Sequence, residues 1–228
     1  MFVVFGTVVD WRTSVAAEVG AFARRRGLTI DGPRFADAWR EGYTPGTNHV
    51  RTGELPWTNL DRLRRMILDQ LFAKFGISSA SDSDADDLNH AWHRLHLWPD
   101  AVDGLTLLKK RFMIAPLSNG NISLMTDLAK NAGLPCDCIL GAELVRHYKP
   151  DPEEYQSAPE VLDLKRNDVM MVAAHLSDLR AAKAVGLRTA LVTRPHEYGP
   201  NRTPDLKPDS SVDITTRDFG DLANQLGA

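Results

Sequence analysis

The sequence predicts an α/β fold: a parallel sheet covered by helices on both faces, with a block of helices inserted after the first strand. Three observations carry this. From residue 98 onward, short apolar runs alternate with stretches at helical spacing. Those runs are continuously apolar, the pattern of strands buried on both faces. Between about residues 14 and 96 the apolar spacing is helical throughout.

The elements follow in order. Residues 2–5, Phe-Val-Val-Phe, read as a first strand meeting a Gly6-Thr7 turn. Residues 16–27 read as a helix stopped by Gly27. Segments 35–43, 60–76 and 85–95 repeat the helical spacing. The small acidic stretch 78–87 reads as a loop entering a helix whose first turn carries Asp, favoured at the positive end of the dipole. Beyond Trp98-Pro99 the texture changes. Strands are expected at 112–118, 136–141, 168–175, 188–195 and 212–218. Helices are expected at 121–133, around 152–162, at 176–186 and at the C-terminus. The predicted division is a core of 1–13 and 97–228 and a helical cap of 14–96.

Composition sets the bounds. A chain of 228 residues, 43% hydrophobic and 25% charged, suits one domain with an inserted subdomain and a sizeable core. The net charge of −3, with signs mixed, gives no nucleic-acid surface. Cys136 and Cys138 are separated by one residue, which makes them poor disulfide partners, and they read as two small buried apolar side chains. No apolar run is long enough to span a membrane and no secretory leader is read, so the expectation is a cytoplasmic protein without membrane partners.

In such sheets chemistry gathers at the carboxyl ends of the strands. Four clusters stand there: Phe5-Gly6-Thr7; Ser118-Asn119-Gly120-Asn121; the loop His147-Tyr148-Lys149-Pro150-Asp151 with Tyr155 after it; and His175-Leu176-Ser177-Asp178. Each has an ordinary structural explanation. Ser and Asn cap helices, a lysine before proline is usually solvated, and Asp near a helix start is usually a cap. Together, in this order, they are more specific.

These clusters carry a resemblance. VFGTVVDWR near the start, PLSNGN at 116–121, YKPDPEEY at 148–155 and VAAHLSDLRAAKAVGLRTALVTRP at 172–195 resemble the haloacid dehalogenase superfamily, and within it the type II (S)-2-haloacid dehalogenases. The resemblance covers essentially the whole chain. It implies a Rossmann-like core with an inserted helical cap, and a metal-independent hydrolase without a cofactor. It implies a small 2-haloacid or related carboxylate as substrate and halide as product. Homodimers are common in such a family, and the sequence leaves the oligomeric state open. Thr7, Ser118, Lys149, Tyr155, His175 and Asp178 match positions that line the family site, and Arg40 matches its substrate-facing arginine. Asn119 would help hold the substrate carboxylate. Trp39 and Tyr43 either shape an apolar wall or simply pack the cap. His175 stands where some members have Asn.

The departure is at position 3. The family reads Phe-Asp-x-(Phe/Tyr)-Gly-Thr, and this chain reads Phe2-Val3-Val4-Phe5-Gly6-Thr7. The nucleophile position is therefore Val3. Asp10 lies past the turn and reads as a cap or loop residue. Phosphatases of the superfamily would need carboxylates at the places of Val3, Phe5 and Ala174, two of them for magnesium, which prefers hard oxygen ligands. The dehalogenase reaction needs only the first, as an attacking group that forms an enzyme ester. Three readings follow: a dehalogenase-like hydrolase inactive or nearly so as written, a pseudoenzyme binding a small carboxylate or other anion, or a one-base change from an original Asp. Lys149, short of one carboxylate, is expected either to pair only with Asp178 or to bind a small anion.

Overall fold

The computed structural model describes residues 1–201 and 203–228. The chain divides into two compact units, Met1–Asp10 with His96–Ala228, and Trp11–Leu95.

The first unit is built on parallel strands. β1 (Leu117–Ser118) pairs with β2 (Leu140–Gly141), and β3 (Met170–Ala173) pairs with β4 (Arg188–Val192), which pairs with β5 (Ile214–Thr216), all parallel. The opening residues join the two sets. Phe2 bridges in parallel to both Pro116 and Val172. Its N–H donates to the Ala115 carbonyl at 3.0 Å and its carbonyl accepts from Leu117 at 2.9 Å, while the Val3 N–H donates to Val172 at 2.9 Å. The opening segment is therefore the centre of the order β2–β1–opening–β3–β4–β5. The expected first strand, 2–5, is shorter than its composition suggests. Val4 already accepts from the Val8 N–H at 2.9 Å, and Gly6 takes φ +84°, so the chain turns before Phe5 can extend the ladder.

Helices α1 to α5 belong to the second unit and are given below; the first unit carries α6 (Ala101–Lys109), α7 (Ile122–Ala132), α8 (Ala142–Val145), α9 (Pro152–Val161), α10 (Leu176–Ala184) and α11 (Phe219–Gln225). A buried apolar cluster lies among them: Val3, Leu117, Leu140, Tyr155, Ala158, Val169, Met171, Ala173, Leu179 and Leu191. Cys136 and Cys138 are free thiols and are half-buried, where full burial was expected, because β2 begins only at Leu140.

The second unit has helices and no strand among its described residues: α1 (Trp11–Arg26), α2 (Gly32–Glu41), α3 (Tyr43–Arg51), α4 (Leu60–Lys74), α5 (Asp82–Asn89) and a 3₁₀ turn at His90–His93. α1 starts earlier than expected, since buried Trp11 already sits in phase with Val15, Val19 and Phe22. The acidic loop enters α5 through a capping box, with Ser81 and Asp84 bonding each other's backbone N–H. The core of this unit is aromatic: Trp92 stacks on Trp11 at 6.3 Å and meets Trp39 edge-on at 5.6 Å. No described helix is long and apolar enough to cross a membrane.

Candidate active site

The ends of β3 and β4 both reach the turn that follows the opening segment. After Gly6 the chain buries Thr7, whose Oγ1 accepts the Ala174 N–H at 2.8 Å, tying the first turn to the end of β3. Arg194, just past β4, donates through Nε to the Thr7 carbonyl at 2.8 Å. Its other two nitrogens clamp Asp100 at 2.7 and 2.9 Å. Burial works against the Asp100 charge, but the hydrogen bonds from Arg194 and from the Phe219 N–H outweigh it and hold its carboxyl below the usual range.

Lys149 is placed by its own backbone. The Asn119 side chain, one residue past β1, accepts the Lys149 N–H at 2.8 Å and donates to the Lys149 carbonyl at 3.4 Å. The ammonium group then lies 3.2 Å from Asp178 Oδ1, in the first turn of α10. Tyr155 OH donates to that same oxygen at 2.6 Å, and Lys149 Nζ stands 4.8 Å from the Tyr155 ring centroid. The Lys149 and Asp178 side chains are only 8% and 13% exposed. Their attraction is thus far stronger than at a surface. Lys149 Nζ also lies 3.9 Å from the Met171 sulfur, a member of the cluster that contains Val3.

Val3 itself is 6% exposed among apolar neighbours. Ser118 is buried at the end of β1, where Gly141 passes so close that a Cβ there would stand 2.7 Å from the Ser118 carbonyl oxygen. Asp10 directly precedes α1, and its N–H donates to the His96 carbonyl at 2.9 Å.

The model of haloacid dehalogenase-like hydrolases matches residues 4–186. The chain belongs to that family. Among solved structures, it is 47% identical to the defluorinating L-2-haloacid dehalogenase Rha0230, with TM-score 0.97 over 100% of this chain and 94% of that one. With the L-2-haloacid dehalogenase PA0810 the values are 43%, TM-score 0.93, and 99% and 97% of the two chains. Among curated relatives, (S)-2-haloacid dehalogenase 1 of Pseudomonas sp. (strain CBS-3) is 29% identical over 87% of this chain and 86% of its own.

Of the site positions inferred for this dehalogenase-like chain, Val3, Thr7, Ser118, Asn119, Lys149, Tyr155, His175 and Asp178 all fall in the first unit, at or near strand ends. Arg40, Trp39 and Tyr43 fall in the helical unit. There the Arg40 guanidinium lies 4.4 Å from the Tyr43 ring centroid and 5.9 Å from that of Trp11. Trp39 is buried in that unit's own core, its indole N–H donating to the Arg64 carbonyl at 3.0 Å.

Two acidic residues of the first unit went unread in the sequence. Glu197, 1% exposed, binds His175 Nε2 through both oxygens at 2.9 and 3.0 Å. It fills the space over Gly6, where a Cβ would stand 2.1 Å from Glu197 Oε1. The strand-end rule that flags the other clusters also covers the loop after β4, which carries Arg194 and Glu197. Glu154 is fully buried in the first turn of α9, and neither carboxylate oxygen has a hydrogen-bond partner among the described residues. Burial pushes its carboxyl up to about 8, against the pull of the Lys149 charge and with a further push from Asp178.

One cluster has the composition of a metal site. His147, Asp151 and Glu153 place ligand atoms within 4.8 Å of one another, but His147 and Glu153 are open to solvent.

Proposed function

We propose that this chain is a metal-independent haloacid-dehalogenase-type protein whose displacement step is disabled at Val3, and whose remaining site binds a small 2-substituted carboxylate. The observation that carries this reading is the pairing of opposites around Met171. On one side the Lys149–Asp178–Tyr155 arrangement is intact; on the other, the nucleophile position holds a hydrocarbon.

In the reaction that the relatives' names describe, a carboxylate would attack the carbon bearing the halogen, expel halide and form an enzyme ester, which water then hydrolyses. Val3 has no lone pair and cannot form that ester. Lys149 and Asp178 would have oriented the attacking carboxylate; here they keep each other. The ammonium group has three N–H donors, and Asp178 draws on one side of it, which supports a remaining role toward an anion. Thr7 and Ser118 shape the strand ends. The donor set supports metal independence: Val3 and Ala174 offer no carboxylate where a magnesium-dependent relative would need one.

Halide release from (S)-2-chloropropionate tests the reading. The chain as written should release none above buffer, and Val3→Asp should raise release by roughly 10³-fold or more, the scale on which loss of a covalent nucleophile acts. Robust turnover by the Val3 form, or no gain in Val3→Asp, would refute it.

A further inference from the structure

Glu154 is a buried acid beside the site that the dehalogenase chemistry does not use. It occupies the third residue of α9, where a carboxylate ordinarily turns back to bond the N-cap backbone and is favoured by the helix dipole. Here it does neither. Its side chain turns inward, one residue before Tyr155, whose hydroxyl bonds Asp178. Both carboxylate oxygens lack hydrogen-bond partners among the described residues. An unpartnered carboxylate in such a place is costly as an ion and tolerable as a neutral acid.

The charges that reach it are those of the anion site. Lys149, in the loop before α9, stabilises its ionised form, and Asp178, on α10, opposes it. Other charges on the elements packed against α9 are engaged elsewhere. Glu143 of α8 accepts the Ile122 N–H at 2.9 Å, and Arg180 and Lys183 of α10 pair with Asp209 and Asp213. On α9 itself, Glu153 faces His147. The Met1 α-amino group, which donates to the Met170 carbonyl at 2.7 Å, also feels the Lys149 charge.

We propose that Glu154 gates the Lys149 site by its protonation: as a neutral acid it leaves the lysine to a small carboxylate ligand, and as an ion it adds a buried negative charge beside the Lys149–Asp178 pair and weakens anion binding. This rests on the anion-site reading above. The gate works because three groups share one cation. With Glu154 neutral, Lys149 and Asp178 balance and an incoming carboxylate meets no excess negative charge. With Glu154 ionised, the same cluster carries a net negative charge before the ligand arrives. Linkage makes the effect reciprocal: anion binding must favour the protonated form, so near the Glu154 midpoint of about 8 each binding event takes up a fraction of a proton.

Calorimetry with lactate and with 2-chloropropionate tests this on the whole chain, on Glu154→Gln, and on Glu154→Leu in case the buried amide disturbs folding. Titrations at about pH 6.5 and about pH 9 should show affinity falling by about tenfold in the unmutated protein and by less than about threefold in either variant, as a coupling of ordinary size requires. At about pH 8, two buffers of different ionisation enthalpy should report proton uptake that the variants lack. Independently of any ligand, infrared spectra at neutral pH should show a protonated-carboxyl stretch that vanishes in both variants. Equal pH dependence in all three proteins would overturn the gate alone. No binding by the unmutated protein at about pH 6.5 would overturn the anion-site reading and the gate together, and the infrared band would still show whether Glu154 holds its proton.

Discussion

Glu154 should make the folded protein lose stability as pH rises, and replacing it should remove that loss. In the unfolded chain its carboxyl ionises near the ordinary 4.5; in the folded protein it keeps its proton up to about 8. Between those values the folded state holds one proton more than the unfolded state. Stability therefore falls with rising pH through this window, by ~1.4 kcal/mol per unit from this one group. Below the window both states are protonated and the group is neutral in effect. Above it both are ionised and the full cost remains. A rise of three to four units corresponds to something on the order of 4 kcal/mol, with relaxation of the helix start reducing it. Glu154→Gln keeps the volume and cannot ionise. Urea unfolding of the two proteins, followed by circular dichroism so that both units are seen, gives the comparison. The variant's advantage should grow by at least about 2 kcal/mol between about pH 5 and about pH 8, all other titrations being common to both. A difference that stays constant across that range would show that Glu154 is not held neutral, and would remove the physical basis of the gate.

Other outcomes follow from the same geometry. Lys149→Met should abolish lactate and 2-chloropropionate binding measurable at millimolar concentration; equal binding by this variant would show that the anion site lies elsewhere. Gly6→Ala should lower the melting temperature sharply, since the added methyl meets the Glu197 carboxylate at 2.1 Å at a φ of +84°, and Gly6→Ala with Glu197→Ala should recover part of the loss. Arg194→Met should cost about 3 kcal/mol in urea unfolding by leaving Asp100 half-buried without its bidentate partner; a cost below about 1 kcal/mol would show that the pair contributes nothing net.

The sequence shows most of this architecture for identifiable reasons. Strands buried on both faces carry continuous apolar runs, so β3 at 170–173 and the Ala190–Val192 stretch of β4 stand out. The helical unit is legible because its apolar spacing never alternates. What misleads is composition against conformation. Val4 and Phe5 favour strands by type, yet the turn closed by the Val8 N–H and by Gly6 removes them from the ladder. At the candidate site, the grouping of Lys149, Tyr155 and Asp178 is legible because they follow strand ends, where chemistry in an α/β sheet ordinarily gathers. Glu154 is hidden for a different reason. Two adjacent glutamates in a first helical turn are normally solvated, and only the four-residue step from Glu154 to buried Ala158 marks the second as inward. Glu197 pairs with a histidine 22 residues away, a contact no local pattern encodes.

The tolerance of the fold for Val3 has a physical explanation in the same arrangement. Removing one partner of a buried ion pair is severe when it strands a charge, and mild when the remaining groups already satisfy one another. Lys149 has Asp178 at 3.2 Å and the face of Tyr155 at 4.8 Å, while Asp178 is also held by the Tyr155 hydroxyl at 2.6 Å. None of these bonds involves position 3. Val3 in turn needs no polar partner, since its neighbours Leu117, Met171 and Ala173 are apolar. Val3→Asp would reverse this balance: a carboxylate entering that cluster must draw on Lys149 to offset its desolvation, and the lysine must then serve two aspartates. The substitution that restores a nucleophile should therefore also lower stability, and the same Val3→Asp protein should show both the gain in halide release and a lower urea midpoint. A gain in activity with no loss of stability would mean that Lys149 has charge to spare, and that its pairing with Asp178 is weaker than 3.2 Å in a nearly closed site implies.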